Sequence, residues 1–130
     1  MITVAFEWEF KHHYAKGRSK RAIKKMDLKE KLIEIAEDMK AITEVFGKRL
    51  YSLNHEVLVY ADMGQRLARQ RNNFAHGNLD QQFDHLAVLD LIFTEYLLYA
   101  MQLKAYGADN KAIQHSINDL FACNIFIPND

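Results

Sequence analysis

Proline occurs once and glycine five times in 130 residues. That is too few turn-formers for an all-β chain with many tight turns. Cysteine occurs once, at Cys123, so no disulfide can form within the chain, and a reducing cytoplasm is the expected location. Neither sign of charge is in excess: Lys+Arg and Asp+Glu both total 17, so net charge points to no partner. No apolar run reads as long enough to cross a membrane, and none is expected. The start, MITVAFEWEFKHH, carries glutamates where a signal peptide needs an unbroken apolar stretch. A glycine-rich phosphate loop, internal repeats and low-complexity tracts are all missing from the sequence.

What is there is a hydrophobic content of 49%, which argues for a packed core over disorder. The length fits a single domain, residues 1–130. Patterned sequence begins at once, so the chain is expected to be the C-terminal part of a longer protein, perched behind an N-terminal sensor domain. The charge, though balanced, is unevenly spread. Lys16, Arg18, Lys20, Arg21, Lys24, Lys25, Lys29 and Lys31 are eight of the 17 cations and lie in one short segment.

Ile2, Val4, Phe6, Trp8 and Phe10 alternate as in a strand, but a strand here would have no partner. Ile2, Phe6 and Phe10 also fall on one helical face, so a helix is expected. Gly17 to Lys25 reads as a polar loop. Asp27 then suits an N-cap, with Glu30 in the capping-box position. Leu28, Leu32, Ile35, Met39, Ile42 and Phe46 repeat at spacings of a second helix, ending at Gly47. A third helix is expected from about Asn54 to Ala75, with Val57, Tyr60, Gly64, Leu67 and Phe74 as its buried stripe and Gly77 closing it. Asp80 is the expected cap of a fourth helix that runs to about Tyr106. Leu86 to Leu103 is apolar nearly all round, so this helix is central or is buried by a second chain. Asp109 or Asn110 starts a fifth helix carrying Ile113, Ile117, Leu120 and Phe121, and NIFIPND reads as an extended tail. The fold class expected is all-α, an up-and-down bundle of four or five helices, with dimerisation as one way to cover the fourth.

The end of the third helix holds the chemistry: RQRNNFAHG, Arg69 to Gly77. Continuing its stripe predicts that Arg71 points inward. An arginine there needs a partner, because an unpaired buried charge is very costly. Asp62 and Asp84, on the flanking helices, could supply one. Asn72 and Asn73 share a face with His76, whereas Arg71 lies about 140° from it on an ideal helix. The two meet only if the helix unwinds near Gly77 or if a second copy brings its own motif across a two-fold axis. Metal-free RNA cleavage needs a base, an acid and a cation for the phosphorane. Histidine can serve as base or acid near neutrality. Arginine offers a fixed fork of donors to phosphate, and asparagine can orient an imidazole. Arg49 with His55, and Arg69 with His76, show comparable spacings, so spacing alone is weak. Arg71, unlike Arg49, is followed directly by a polar residue and closed by His-Gly between two helices.

RNNFAHG between two helices resembles the signature of the HEPN superfamily: an arginine, a polar residue directly after it, a short spacer and a histidine. The similarity is closest to the HEPN domains at the C-termini of ApeA-like and other abortive-infection proteins, where an early helix also carries aromatics and glutamate, as AFEWEF does here. The resemblance implies an HEPN-like homodimer acting in antiphage defence as a metal-independent endoribonuclease, without cofactor. Its site would form between two copies of the motif, with Arg71 and His76 catalytic and Asn72 in support. Some HEPN toxins carry a modifiable tyrosine two residues beyond the histidine. That position is Asn78 here, which argues against such regulation. Other HEPN domains are non-catalytic scaffolds.

RNA is the expected partner. Arg69 and Asn73 flank the motif, and Arg18, Lys20, Arg21, Lys24 and Lys25 could guide the phosphate backbone, although such runs are more often solvated surface. No metal site is expected: His12 and His13 would point about 100° apart, and His55–Glu56 has no second histidine. Trp8 and Phe10 read as core rather than as base-stacking platforms, and Cys123 as a packed small residue rather than a nucleophile. An Arg71 locked to a carboxylate inside one monomer, with His76 turned away to bulk water, would remove the nuclease reading and leave a structural or binding role.

Overall fold

The computed structural model describes residues 2–14, 18–77, 85–125 and 127. The expected cap Asp80, Asp84, Asn78, Lys16 and Gly17 lie outside them, as does the side chain of Phe74. Among the described residues the chain is all-α, with seven helices and no strand. α1 is Ile2–Glu9, continued by a π-helical turn Phe10–Tyr14. α2 is Lys20–Lys25 and α3 is Leu28–Asp38. α4 starts as Lys40–Ile42, passes through a π-helical turn Thr43–Gly47 and ends as Lys48–Leu53. α5 is Tyr60–Ala75, α6 is His85–Ala105 and α7 is Asn110–Leu120.

The amphipathic seam is as expected: Leu28, Leu32, Ile35, Met39, Ile42 and Phe46 are all buried. The capping of α3 holds too, since Asp27 Oδ1 accepts from Glu30 N at 2.7 Å. The helix over the seam is nevertheless not continuous. It breaks at Met39, where Thr43 Oγ1 donates to Ala36 O at 2.9 Å across the break. A hydroxyl that takes over a backbone carbonyl bends a helix in this way. Gly47 does not end the helix either. A Cβ there would lie 2.6 Å from Phe93 Cε1 and 2.9 Å from Leu58 Cδ2, so the glycine is needed for close packing on α6.

Three further expectations are corrected. Gly17 to Lys25 is not all loop: Ser19 Oγ accepts from Ala22 N and opens α2, which buries Ile23. The third expected helix starts later, at Tyr60, and leaves Val57 82% exposed. Trp8 is not core but 52% exposed, whereas Phe6 and Phe10 on the opposite face of α1 are fully buried.

α6 is the centre. It packs against α1, α4, α5 and α7, and its apolar surround is largely consumed within the single chain. That supplies one of the two reasons given for an all-round apolar helix, so its composition alone no longer calls for a second copy. Its length and hydropathy do meet those of a membrane-crossing helix, contrary to the sequence reading, but 56% of its most apolar window is buried inside the bundle. α5 lies on α3 closely enough that a Cβ at Gly64 would come within 3.3 Å of the Lys29 backbone, which accounts for a small residue on that stripe.

One polar constellation crosses the core. Asp90, on α6, is fully buried. Its Oδ1 accepts from Tyr51 Oη at 2.5 Å and from Arg66 Nη2 at 2.8 Å, and its Oδ2 accepts from Arg66 Nε at 2.7 Å. The carboxylate thereby fastens α4 and α5 to α6. Burial, and then the adjoining carboxylate, push the Tyr51 hydroxyl well above the usual tyrosine range. Hydrogen bonding to Asp90 raises Arg66 further.

Two outcomes are expected. Gly47→Ala should cost about 1–3 kcal/mol by overpacking against Phe93, read as a lower urea midpoint at unchanged slope. The raised Tyr51 means that the folded state keeps the phenolic proton after the unfolded chain has lost it. Its contribution is therefore complete below pH ~10 and declines as pH rises beyond it. Urea titrations from pH 8 to pH 11 should show that decline, and Tyr51→Phe should make it shallower; an equally steep fall in the variant would refute the assignment.

Candidate functional site

α5 carries the motif at its C-terminal end. The inward stripe Met63 and Leu67 is fully buried, and Arg71 continues it one turn later. By that point the helix has reached the rim of the bundle, so the expected inward arginine is 44% exposed. Of the two expected partners, Asp62 is exposed, and Asp84 lies outside the described residues. The carboxylate beside Arg71 is Glu7 of α1, whose Oε1 lies 2.9 Å from Arg71 Nη1.

The two groups are close but not aligned. Glu7 Oε1 is shielded from solvent and receives no hydrogen bond, and the same holds for Gln70 Oε1 next to Arg71 in sequence and for Thr3 Oγ1, one helical turn before Glu7 on α1. At the contact of α1 with the end of α5, Glu7 Oε1 is thus a buried acceptor that no group among the described residues satisfies, which is uncommon in folded proteins. The Arg71 guanidinium, with five N–H donors, lies with Nη1 2.9 Å from Glu7 Oε1 and leaves 44% of the side chain exposed.

Asn72 and Arg69 are exposed, and Asn73 is half-buried. The helix ends at Ala75. His76 N still donates to Asn72 O at 3.0 Å, but the His76 side chain stands in solvent. Gly77 takes φ +71°, the left-handed conformation that closes a helix and favours glycine. Among the described residues, no side-chain hydrogen bond joins Arg71, Asn72 and His76 to one another. One chain therefore brings together Arg71 and Glu7, and leaves His76 apart at the same helix end.

The second group of expected contacts lies elsewhere. Lys20, Arg21, Lys24 and Lys25 are exposed on α2. Arg18 is held by both oxygens of Glu34 and sits 6.0 Å over the Phe10 ring. The basic segment thus abuts the C-terminal end of α1, and the motif abuts its middle. No group of His, Cys, Asp and Glu that could hold a metal occurs among the described residues. Cys123 is half-buried, with Sγ 3.8 Å from Tyr96 Oη.

Sequence reasoning missed Glu7 as the partner of Arg71. It also missed the Asp90 clamp, for which a signal existed: one aspartate inside an otherwise apolar helix is rarely buried without a cation. The chain matches no protein-family profile, no curated protein and no solved structure.

A half-open, unaligned ion pair contributes about 0–1 kcal/mol. Arg71→Ala should therefore change the unfolding free energy by less than about 1 kcal/mol in chemical denaturation. A loss of several kcal/mol would make Arg71 a structural residue and remove it from the site.

Proposed function

We propose that the chain is an HEPN-type endoribonuclease module in which Arg71, Asn72 and His76 form one half of a metal-independent site, completed by the same residues of a second copy. The observation that carries this is that Arg71, Asn72 and His76 are exposed at one helix end, with a guanidinium and an imidazole reachable from solvent.

Cleavage by 2′-hydroxyl attack transfers two protons. One leaves the 2′-oxygen as it bonds to phosphorus, and one reaches the 5′-oxygen as its bond to phosphorus breaks. A single His76 would have to perform both; two copies provide a base and an acid. Each Arg71 would direct its exposed side at the phosphorane oxygens, where charge accumulates in the transition state. Asn72 would orient an imidazole or bind a non-bridging oxygen. The expected setting is defence against phage, in the cytoplasm, under control of another domain of the parent protein.

A second reading is favoured by a specific observation. Both marks that count against a nuclease are found in the single chain: Arg71 is paired within it and His76 faces solvent. The partial exposure and poor alignment of Arg71 weaken the first mark, and a second copy would remove the other. Without that copy the same surface serves as a non-catalytic RNA- or partner-binding module.

Incubation with single-stranded RNA in EDTA separates the two. Under the nuclease reading RNA is cut to 2′,3′-cyclic phosphate ends, and His76→Ala lowers the rate by at least about 100-fold. Salt-sensitive binding without cleavage, or cutting by His76→Ala at the wild-type rate, would sink it.

A further inference from the structure

The outward face of α1 is the most unusual surface of the molecule. Trp8 is 52% exposed and Val4, one turn earlier, is 60% exposed. The Trp8 ring lies 4.5 Å from the His12 ring at 36° and 5.3 Å from the His13 ring, edge-on at 81°. Three π systems are therefore gathered at one point, and half of the indole remains open. Lys11, His12 and His13 are exposed beside it. The carboxylates of the same helix are turned under: Glu7 toward Arg71, and Glu9, 6% exposed, with Oε2 2.6 Å from His13 Nδ1.

This aromatic cluster lies between two cationic regions. On one side Glu7, next to Trp8 in sequence, touches Arg71 of the motif. On the other, His13 lines a hollow of about 340 Å³ with Arg18, at the start of the basic segment, and Lys104, together with Asp38, Met101 and Ala105.

We propose that Trp8, backed by His12 and His13 and flanked by Lys11, is a base-stacking platform for single-stranded RNA leading from the basic segment to the motif. Single-stranded nucleic acids are held in this manner, by aromatic faces that stack bases and cations that track phosphates. A duplex hides its base faces and would not use the indole. The charge favours RNA over a second copy of the chain as occupant: among the described residues Lys11 is the exposed cation beside the indole, and it would repel its own copy across a two-fold axis. The proposal rests on the RNA-directed reading of the motif but requires no catalysis.

Trp8 is the sole tryptophan, so its fluorescence reports directly on stacking. The wild-type chain is titrated with a 2′-O-methyl dodecanucleotide of mixed sequence, which cannot be cut by 2′-hydroxyl attack, and with the same strand in a duplex. The expected result is quenching by the single strand and much less by the duplex. By fluorescence anisotropy of labelled oligonucleotide, Trp8→Ala should weaken binding roughly tenfold or more, and Trp8→Phe should retain most of the affinity. Circular dichroism of both variants should match the wild type.

Binding without quenching, or unchanged affinity in Trp8→Ala, overturns the platform. So does a sedimentation result in which Trp8→Ala turns a dimer into a monomer while RNA affinity is unaffected, which would give the face to a second copy. Quenching with no cleavage of unmodified RNA supports the platform and overturns only the nuclease reading. Cleavage with no quenching does the reverse, and absence of any binding overturns the platform along with its RNA-directed premise.

Discussion

A buried carboxylate governs the geometry of this bundle. Asp90 has no solvent contact, so its charge is tolerable only while Arg66 and Tyr51 remain in place. Removing one partner from such a pair typically costs about 3–5 kcal/mol, because the other charge is stranded. Apolar contacts between helices tolerate rotation and sliding, whereas a guanidinium gripping both oxygens of a carboxylate does not. The clamp therefore sets the rotation of α5 against α6. Once Arg66 points at α6, a residue five positions later is turned about 140° away from it. That is Arg71, which meets α1 at Glu7. The orientation of the motif follows from the clamp, one and a half turns upstream.

Much of the fold was legible in the sequence because it depends on local periodicity. The seam Leu28 to Phe46 and the caps at Asp27 and Asp109 obey rules confined to a few neighbouring residues. The choice of helix over strand for the first residues was legible too, since Phe6 and Phe10 share one buried face. What escaped depends on groups distant in the chain. Gly47 looks like a helix terminator until Phe93 and Leu58 are placed against it. The break at Met39 is set by a hydroxyl that reaches back to Ala36. Val57 fits the stripe of α5 by number, but the helix begins only at Tyr60.

The candidate site divides in the same manner. Its composition is a matter of sequence, and Arg71 does continue the stripe of Met63 and Leu67. Its environment is not, because the stripe outlasts the core: α5 reaches the rim, and the arginine emerges half-exposed beside α1. Trp8 was assigned to the core on composition alone. Alternation placed it with Ile2, Phe6 and Phe10, but helical geometry turns it about 160° from Phe6 and Phe10 and about 120° from Ile2, and its side chain is 52% exposed.

These two placements bear on each other. A helix end with an exposed imidazole and an arginine close to Glu7 but not aligned with it is a poor structural device, because it leaves Glu7 Oε1 buried without a hydrogen bond among the described residues. A folded chain under no other constraint would align that pair or replace it with apolar contacts, since unsatisfied buried oxygens each cost about 1–3 kcal/mol. Retaining it makes physical sense where the guanidinium must remain free to turn toward something else. A phosphate approaching the exposed side of Arg71 would draw it from Glu7 at little cost, because an unaligned pair holds weakly. An arginine buried with full hydrogen bonds, as Arg66 is on Asp90, could not make that exchange. The same helix thus carries one guanidinium committed to the fold and, five residues on, one whose geometry leaves it available.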